Sequence, residues 1–356
     1  MASRETALAA IRNFHSIQHL RAVAALMVVA YHAHVQLQRI GYEGPWLAGL
    51  ARGVDLFFVI SGFIMVMATR DGVTPRLFLL RRFLRIAPLY YALTLLMLAI
   101  HAIEPRLLQS FVLDARHVLA SFAFWPWPNL ATGLMQPVLI PGWTLNYEMF
   151  FYALFALSML AGRRSLAVLG VMFLGLVALG RLVDGGPTLA FFADPLILLF
   201  LAGVVLGRLY RQGWRIPVPV AAPLAVLALP LLATMPPLLG GAWDSLLPGL
   251  VATAVVAALV SLEAAGRLPE WRTLVALGDA SYAIYLIHGT ALAATGQAWR
   301  ALGMPADPLL LTLACIGTGT AAGLVGYWAL ERPLGRWLKQ LTATRAPAAL
   351  PQPAGG

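Results

Sequence analysis

The chain has 356 residues, of which 60% are hydrophobic and only 11% charged. Together with a mean hydropathy of +0.79, this excludes a water-soluble fold, which would put roughly a quarter of its residues into charge. The net charge of +10 is essentially arginine, because Lys339 is the only lysine; in so apolar a chain the excess reads as loops held on the cytoplasmic side rather than as a nucleic-acid surface, with some arginines left as candidates for an anionic ligand.

The charge shortfall recurs in every window of about twenty residues, and the expected fold class is all-α, a polytopic transmembrane helical bundle of about ten spans. Apolar segments long enough to cross the hydrocarbon fall near 17–37, 53–69, 84–103, 143–161, 165–182, 190–210, 217–238, 245–265, 274–295 and 308–331. Prolines 105, 126, 128, 137 and 141 interrupt 105–142, and its Phe122, Phe124, Trp125 and Trp127 suit an interfacial or re-entrant segment. The organisation expected is a cytoplasmic segment 1–16, a membrane-embedded domain 17–335 and a cytoplasmic, largely disordered tail 336–356. The first apolar stretch is long enough to span and carries Arg21, His32 and His34, unlike a cleaved signal peptide.

Arginines set the orientation. Arg4 and Arg12 precede the first span, and Arg70, Arg76, Arg81, Arg82 and Arg85 lie between the second and third. The pattern returns on alternate loops with Arg163 and Arg164, then Arg208, Arg211 and Arg215, then Arg267 and Arg272, then Arg332, Arg336, Lys339 and Arg345. Both termini are therefore expected in the cytoplasm. The opposite loops carry fewer arginines, among them Arg39, Arg52, Arg106, Arg116 and Arg300. The single cysteine, Cys315, excludes an intramolecular disulfide and a cysteine metal cluster. No metal site is expected.

In the first span, Arg21 and His32 lie eleven positions apart, close to three helical turns, so they share one face about 16 Å apart along the axis. Each alone has a plain explanation: a snorkelling arginine at the inner interface, a histidine in the outer headgroup region. Together on one face they favour a functional pair. Asp55 opens the second span at the depth of His32, where it either caps its helix or orients the imidazole as a general base requires. Ser61 and Gly62 follow halfway along that span and suit close helix approach or, for Ser61, a supporting role. Arg81, Arg82 and Arg85 form a dense positive cluster at the inner end of the third span, either a topological anchor or a phosphate site. Glu148 lies about two turns inside the fourth span, where an unpaired carboxylate is costly. Ser281, Tyr282, Tyr285 and His288 gather on the ninth span as supporting or packing residues.

IQHLRAVAALMVVAYHAH, FFVISGF, the Arg82-x-x-Arg85 pair, WTLNYEMFFY, SYAIYLIH and a closing ERP occur in this order over about 17–333. Together they resemble the acyltransferase-3 family of bacterial membrane O-acyltransferases, and the opening stretch most resembles members that acetylate exopolysaccharide. The resemblance implies that Arg21 and His32 are an essential pair and that Arg82-x-x-Arg85 is functionally important. It also implies acyl-CoA, acetyl-CoA in the first instance, as donor substrate, with no permanently bound cofactor. The acceptor would be a hydroxyl of a cell-surface or lipid-linked carbohydrate such as exopolysaccharide or lipopolysaccharide, and the location the bacterial inner membrane. Larger members append an extracytoplasmic SGNH-type esterase domain, which is not expected for this chain, so transfer to the acceptor is expected in the membrane domain or on a separate partner.

On this expectation Arg81, Arg82 and Arg85 hold the donor phosphates, and His32 serves as general base or as an acyl-carrying relay. Asp55 or Glu148 orients it, and Ser61 or tyrosine hydroxyls stabilise the oxyanion. Membrane lipids and polysaccharide assembly proteins are the other candidate partners. Two other classes remain: a transporter or flippase of a polar glycan or anionic solute, and a structural subunit of a polysaccharide assembly complex.

Overall fold

The computed structural model describes residues 14–69, 72–105, 111–235 and 244–343. Arg4, Arg12, Arg70, Arg106, Arg345 and the tail beyond it lie outside the described residues, as does the side chain of Lys339. The described chain is helical, with no strand beyond an isolated bridge between Pro128 and Met135. Its helices are α1 (His15–Gln38), α2 (Gly53–Ala68), α3 (Pro75–Ile103), α4 (Ala115–Phe122), α5 (Trp143–Met159), α6 (Ser165–Leu182), α7 (Gly186–Phe192), α8 (Leu198–Arg211), α9 (Val218–Thr234), α10 (Leu246–Ala264), α11 (Arg272–Ala301), α12 (Pro308–Gly326) and α13 (Arg332–Ala343). A π-helical turn, Tyr327–Glu331, joins the last two.

The polytopic all-α bundle is as expected, and each of the ten expected segments contains helix among its described residues, 236–238 of the seventh lying outside them. Seven stretches among the described residues are long and apolar enough to cross a membrane. α5 and α9, of 17 residues each, and α11, of 30 residues, are not among them. α11 carries Asp279, Ser281 and His288, and Ser281 and His288 face the protein interior rather than lipid, at 0% and 1% exposure.

The expected span 190–210 is divided. Pro195 cannot continue a helix, and Asp194 accepts a hydrogen bond from Leu196 N at 2.8 Å to start the next one. Tyr147 Oη donates to the carbonyl of Phe191 at 2.6 Å, satisfying backbone next to the break. Between α3 and α5 the proline-interrupted stretch forms α4 and a loop tucked against α3. Tyr90 and Tyr91 hydroxyls donate to the carbonyls of Ser121 and Phe122 at 3.1 and 2.6 Å.

Small residues set the helix crossings, since lipid gives helices no hydrophobic reason to associate. A side chain at Gly62 would meet the backbone of Phe200, and one at Gly203 the carbonyl of Val59, so α2 and α8 touch backbone to backbone. Gly278 faces the backbone of Gln18 across α11 and α1, and Gly323 faces Ile284 across α12 and α11. The free N–H groups of His15 and Ser16 at the start of α1 donate to Glu263 at the end of α10, at 2.7 and 3.1 Å, a cap supplied from another helix.

The arginine-bearing ends meet. Arg208 donates to Ser165 Oγ at 2.8 Å, Arg211 to the carbonyl of Thr69 at 2.5 Å, and Arg85 pairs with Glu331. At the other end of α2, Arg52 pairs with Asp244 and lies 3.8 Å from Asp55.

Candidate active site

Helices α1, α2, α3, α5 and α11 enclose a cavity of about 170 Å³. Its lining on α2 runs from Val54 to Met65, twelve residues or about 16 Å of helix rise, so the cavity is elongated along the bundle. Ionic groups line it on the side of α3: Arg21, Arg82, Arg85 and Glu148. Towards the start of α2 and α5 the lining changes to Val54, Phe57, Phe58, Thr144, Leu145 and Tyr285.

Glu148 anchors the middle. Ser61 Oγ donates to its Oε1 at 3.1 Å, and Tyr152 Oη donates to the same oxygen. Two hydroxyls therefore stabilise a carboxylate that the bilayer would otherwise make costly. Ser61 and Gly62 divide the roles that the sequence leaves open: Ser61 faces the cavity, and Gly62 faces α8. Ser281 also lines the cavity, fully buried, and its hydroxyl has no hydrogen-bond partner among the described residues.

The arginines are held individually. Arg21 donates to Gln18 Oε1 at 3.3 Å, and Gln18 donates on to Asp279 at 2.9 Å. Arg85 pairs with Glu331 and stands 5.5 Å from the ring of Tyr282, whose hydroxyl donates to the carbonyl of Ile86 at 2.7 Å. Arg81 is exposed and, unlike Arg82 and Arg85, does not line the cavity.

His32 lies beyond the apolar end. Its ring is half-buried, with Nδ1 2.9 Å from the carbonyl of Val28. A carbonyl oxygen can only accept, so Nδ1 carries a proton, and in the neutral ring Nε2 holds the lone pair. The His288 ring lies 4.9 Å from that of His32, centroid to centroid, and its own Nδ1 is 2.6 Å from the carbonyl of Tyr285. Tyr285 Oη, in turn, is 3.0 Å from Thr144 Oγ1 at the cavity wall. A continuous run of side chains thus links the cavity to His32 through Tyr285 and His288.

The carboxylates expected to orient His32 do not touch it. Asp55 is buried beside Arg52, with its Oδ2 lacking a hydrogen bond, and Glu148 belongs to the cavity. The backbone of α1 itself orients the imidazole. Arg21 and His32 do not contact each other, as their three-turn separation requires.

Two polar partners carry no role in the sequence reading. Tyr152 stands four residues after Glu148, the spacing of neighbours on one helix face, and that signal suffices to find it. Glu331 belongs to the closing ERP stretch, but nothing local in the chain points to Arg85, 246 residues away.

Residues 14–328 match the model of an acyltransferase domain. The chain is 40% identical over 304 residues to the Exopolysaccharide production protein ExoZ of Rhizobium meliloti (strain 1021), covering 84% of this chain and 93% of that protein. It is 28% identical over 378 residues to Acyltransferase MdmB of Streptomyces mycarofaciens, covering 95% of each. A shorter match, 31% identical over 117 residues, joins 31% of this chain to 17% of the Peptidoglycan O-acetyltransferase OatA of Listeria monocytogenes serovar 1/2a. No solved structure matches the chain.

Proposed function

This chain belongs to the acyltransferase-3 family, and from that premise we propose that it transfers an acetyl group from acetyl-CoA to a hydroxyl of a cell-surface or lipid-linked carbohydrate, with exopolysaccharide as the first candidate. It is a multi-pass membrane O-acyltransferase. The observation that carries the finer reading is the two-ended cavity, with three arginines towards one end and, beyond the other, a histidine whose Nδ1 faces the Val28 carbonyl and leaves Nε2 as the proton acceptor of the neutral ring. Guanidinium groups are always charged and match phosphate oxygens with forked donors. An elongated cavity of about 16 Å suits an extended pantetheine arm, so phosphates near Arg82 and Arg85 can be joined to a thioester near His32. ExoZ is named for exopolysaccharide production and OatA for peptidoglycan O-acetylation, which supports a glycan acceptor.

His32 Nε2 takes the proton of the acceptor hydroxyl as its oxygen attacks the thioester carbonyl carbon. The tetrahedral oxyanion collapses, the carbon–sulfur bond breaks, and the CoA thiolate leaves with the proton from the imidazolium. The Val28 carbonyl holds the ring in the tautomer this needs, and His288 packs beside it. Tyr285 lies on the cavity side of that pair and is the hydroxyl best placed for the oxyanion, while Ser61 works with Glu148 further in. Arg21 belongs to the donor end. The arginine-rich loops and both termini lie in the cytoplasm of a bacterial inner membrane, on this reading, and residues 17–335 are the catalytic membrane domain.

The test is transfer of labelled acetyl from acetyl-CoA to glycan in membranes carrying the wild-type chain or His32→Ala at matched protein level. Label reaches glycan with the wild type and falls by about 10²-fold or more with the variant. Retained transfer in the variant would sink the base assignment, and no glycan label with the wild type would sink the donor–acceptor pair.

A further inference from the structure

Arg85 stands at the inner end of α3 with a side chain long enough to reach either the cavity or the lipid headgroups. An arginine in that position ordinarily snorkels to the interface. Here its side chain is 42% exposed, yet it lines the cavity. Two contacts turn it inward: the carboxylate of Glu331 and the face of the Tyr282 ring at 5.5 Å.

Glu331 is itself an unusual placement. Its side chain is 7% exposed, Oε1 pairs with Arg85, and Oε2 is buried with no hydrogen-bond partner among the described residues. So costly a carboxylate is tolerated only because the arginine neutralises it. The backbone that delivers it is the π-helical turn Tyr327–Glu331, directly after α12. One wider turn rotates the residues that follow relative to an α-helix, and such turns in helical bundles often sit at functional sites. Gly319, Gly323 and Gly326 seat α12 closely on α11, against Leu292, Ile284 and Ile287, fixing where that turn ends.

We propose that Glu331 is a positioning residue for donor recognition: it holds the Arg85 guanidinium towards the cavity, so that the remaining N–H groups face the donor phosphates. The inference rests on the acyl-CoA reading of the cavity and adds a residue to it. A carboxylate behind the guanidinium also reduces repulsion among Arg21, Arg82 and Arg85, which face one small space. Glu331 touches neither thioester nor acceptor.

Acetyl-pantetheine, which lacks the nucleotide and all phosphates, separates this role from simple packing. In Glu331→Gln the KM for acetyl-CoA rises by about tenfold while kcat stays within about twofold, and turnover of acetyl-pantetheine is unchanged. Equal losses with both donors, or no change with either, would overturn the proposal. The paired swap Arg85→Glu with Glu331→Arg keeps the ion pair but moves the cation; it restores thermal stability and leaves the acetyl-CoA KM high. Full recovery of that KM would overturn the proposal as well. Should Glu331→Gln fail to accumulate, the swap and Glu331→Asp carry the test, the aspartate variant having an intermediate KM for acetyl-CoA alone and an unchanged one refuting the role. Arg82→Ala combined with Arg85→Ala tells the two readings apart. If that pair weakens acetyl-CoA binding and Glu331→Gln does not, the positioning role fails alone; if neither does, the donor reading fails with it.

Discussion

Helices α1 and α6 invert the rule learned from soluble proteins. The first is the least apolar of the seven candidate spans, yet 56% of its span is buried inside the protein; the stretch containing α6 is among the most apolar, and only 22% of it is buried. In water the apolar helix would seek the core. In a bilayer lipid satisfies it, and the helix with Gln18, Arg21, His32 and Gln36 must turn inward to find partners. The candidate active site lies with the polar helices for that reason, and α6 contributes nothing to the cavity lining.

Substitutions on the two sides of this contrast should differ widely. The largest effect is expected from Arg82→Ala combined with Arg85→Ala, which removes two charge-assisted contacts and weakens acetyl-CoA binding by about 100-fold or more in detergent titration. Unchanged affinity would reduce both arginines to topological anchors. Gly203→Val comes next, because its Cβ would meet the Val59 carbonyl across the α2–α8 crossing. A loss of about 1–3 kcal/mol, read as a lower melting temperature, is expected there, and a stable variant would show that the crossing is looser than the backbone contact implies.

Tyr285→Phe keeps the ring that packs between Phe57 and His288 and removes only the hydroxyl beside Thr144. Stability should fall by about 1 kcal/mol and kcat should drop with the donor KM unchanged. A KM effect instead would move Tyr285 from the transfer end to the donor end. The smallest effect belongs to α6: Val171, 73% exposed to the surroundings of the bundle, can become alanine with stability within about 0.5 kcal/mol and acetyl transfer unaltered. A marked loss of transfer would place a functional partner on that face and break the contrast between interior and periphery.

Much of the bundle can be read along the chain. Apolar run length marks the spans. Each of the ten spans the sequence expects contains helix among its described residues, but Pro195 and Asp194 divide one of them, a local signal that a hydropathy window averages away. Neither α5, short and polar, nor α11, long and polar, resembles a lipid-facing helix, because their polar residues face each other across the cavity.

The sequence by itself determined the apolar environment, the helices, the position of each polar group along its helix and the separation of Arg21 from His32, since these follow from rise per residue and from composition. Only the tertiary structure decided the partnerships. His32 meets His288 rather than Asp55, Arg85 meets Glu331, and Arg81 stays outside while Arg82 turns in. Position along a helix is a property of one helix, but contact depends on how two helices are rotated and how closely they cross. Glycines on α2, α8, α11 and α12 set those crossings by letting backbones or neighbouring side chains come close. The Arg21–His32 pair is thereby two separate stations, one at the ionic wall of the cavity and one beyond its apolar end.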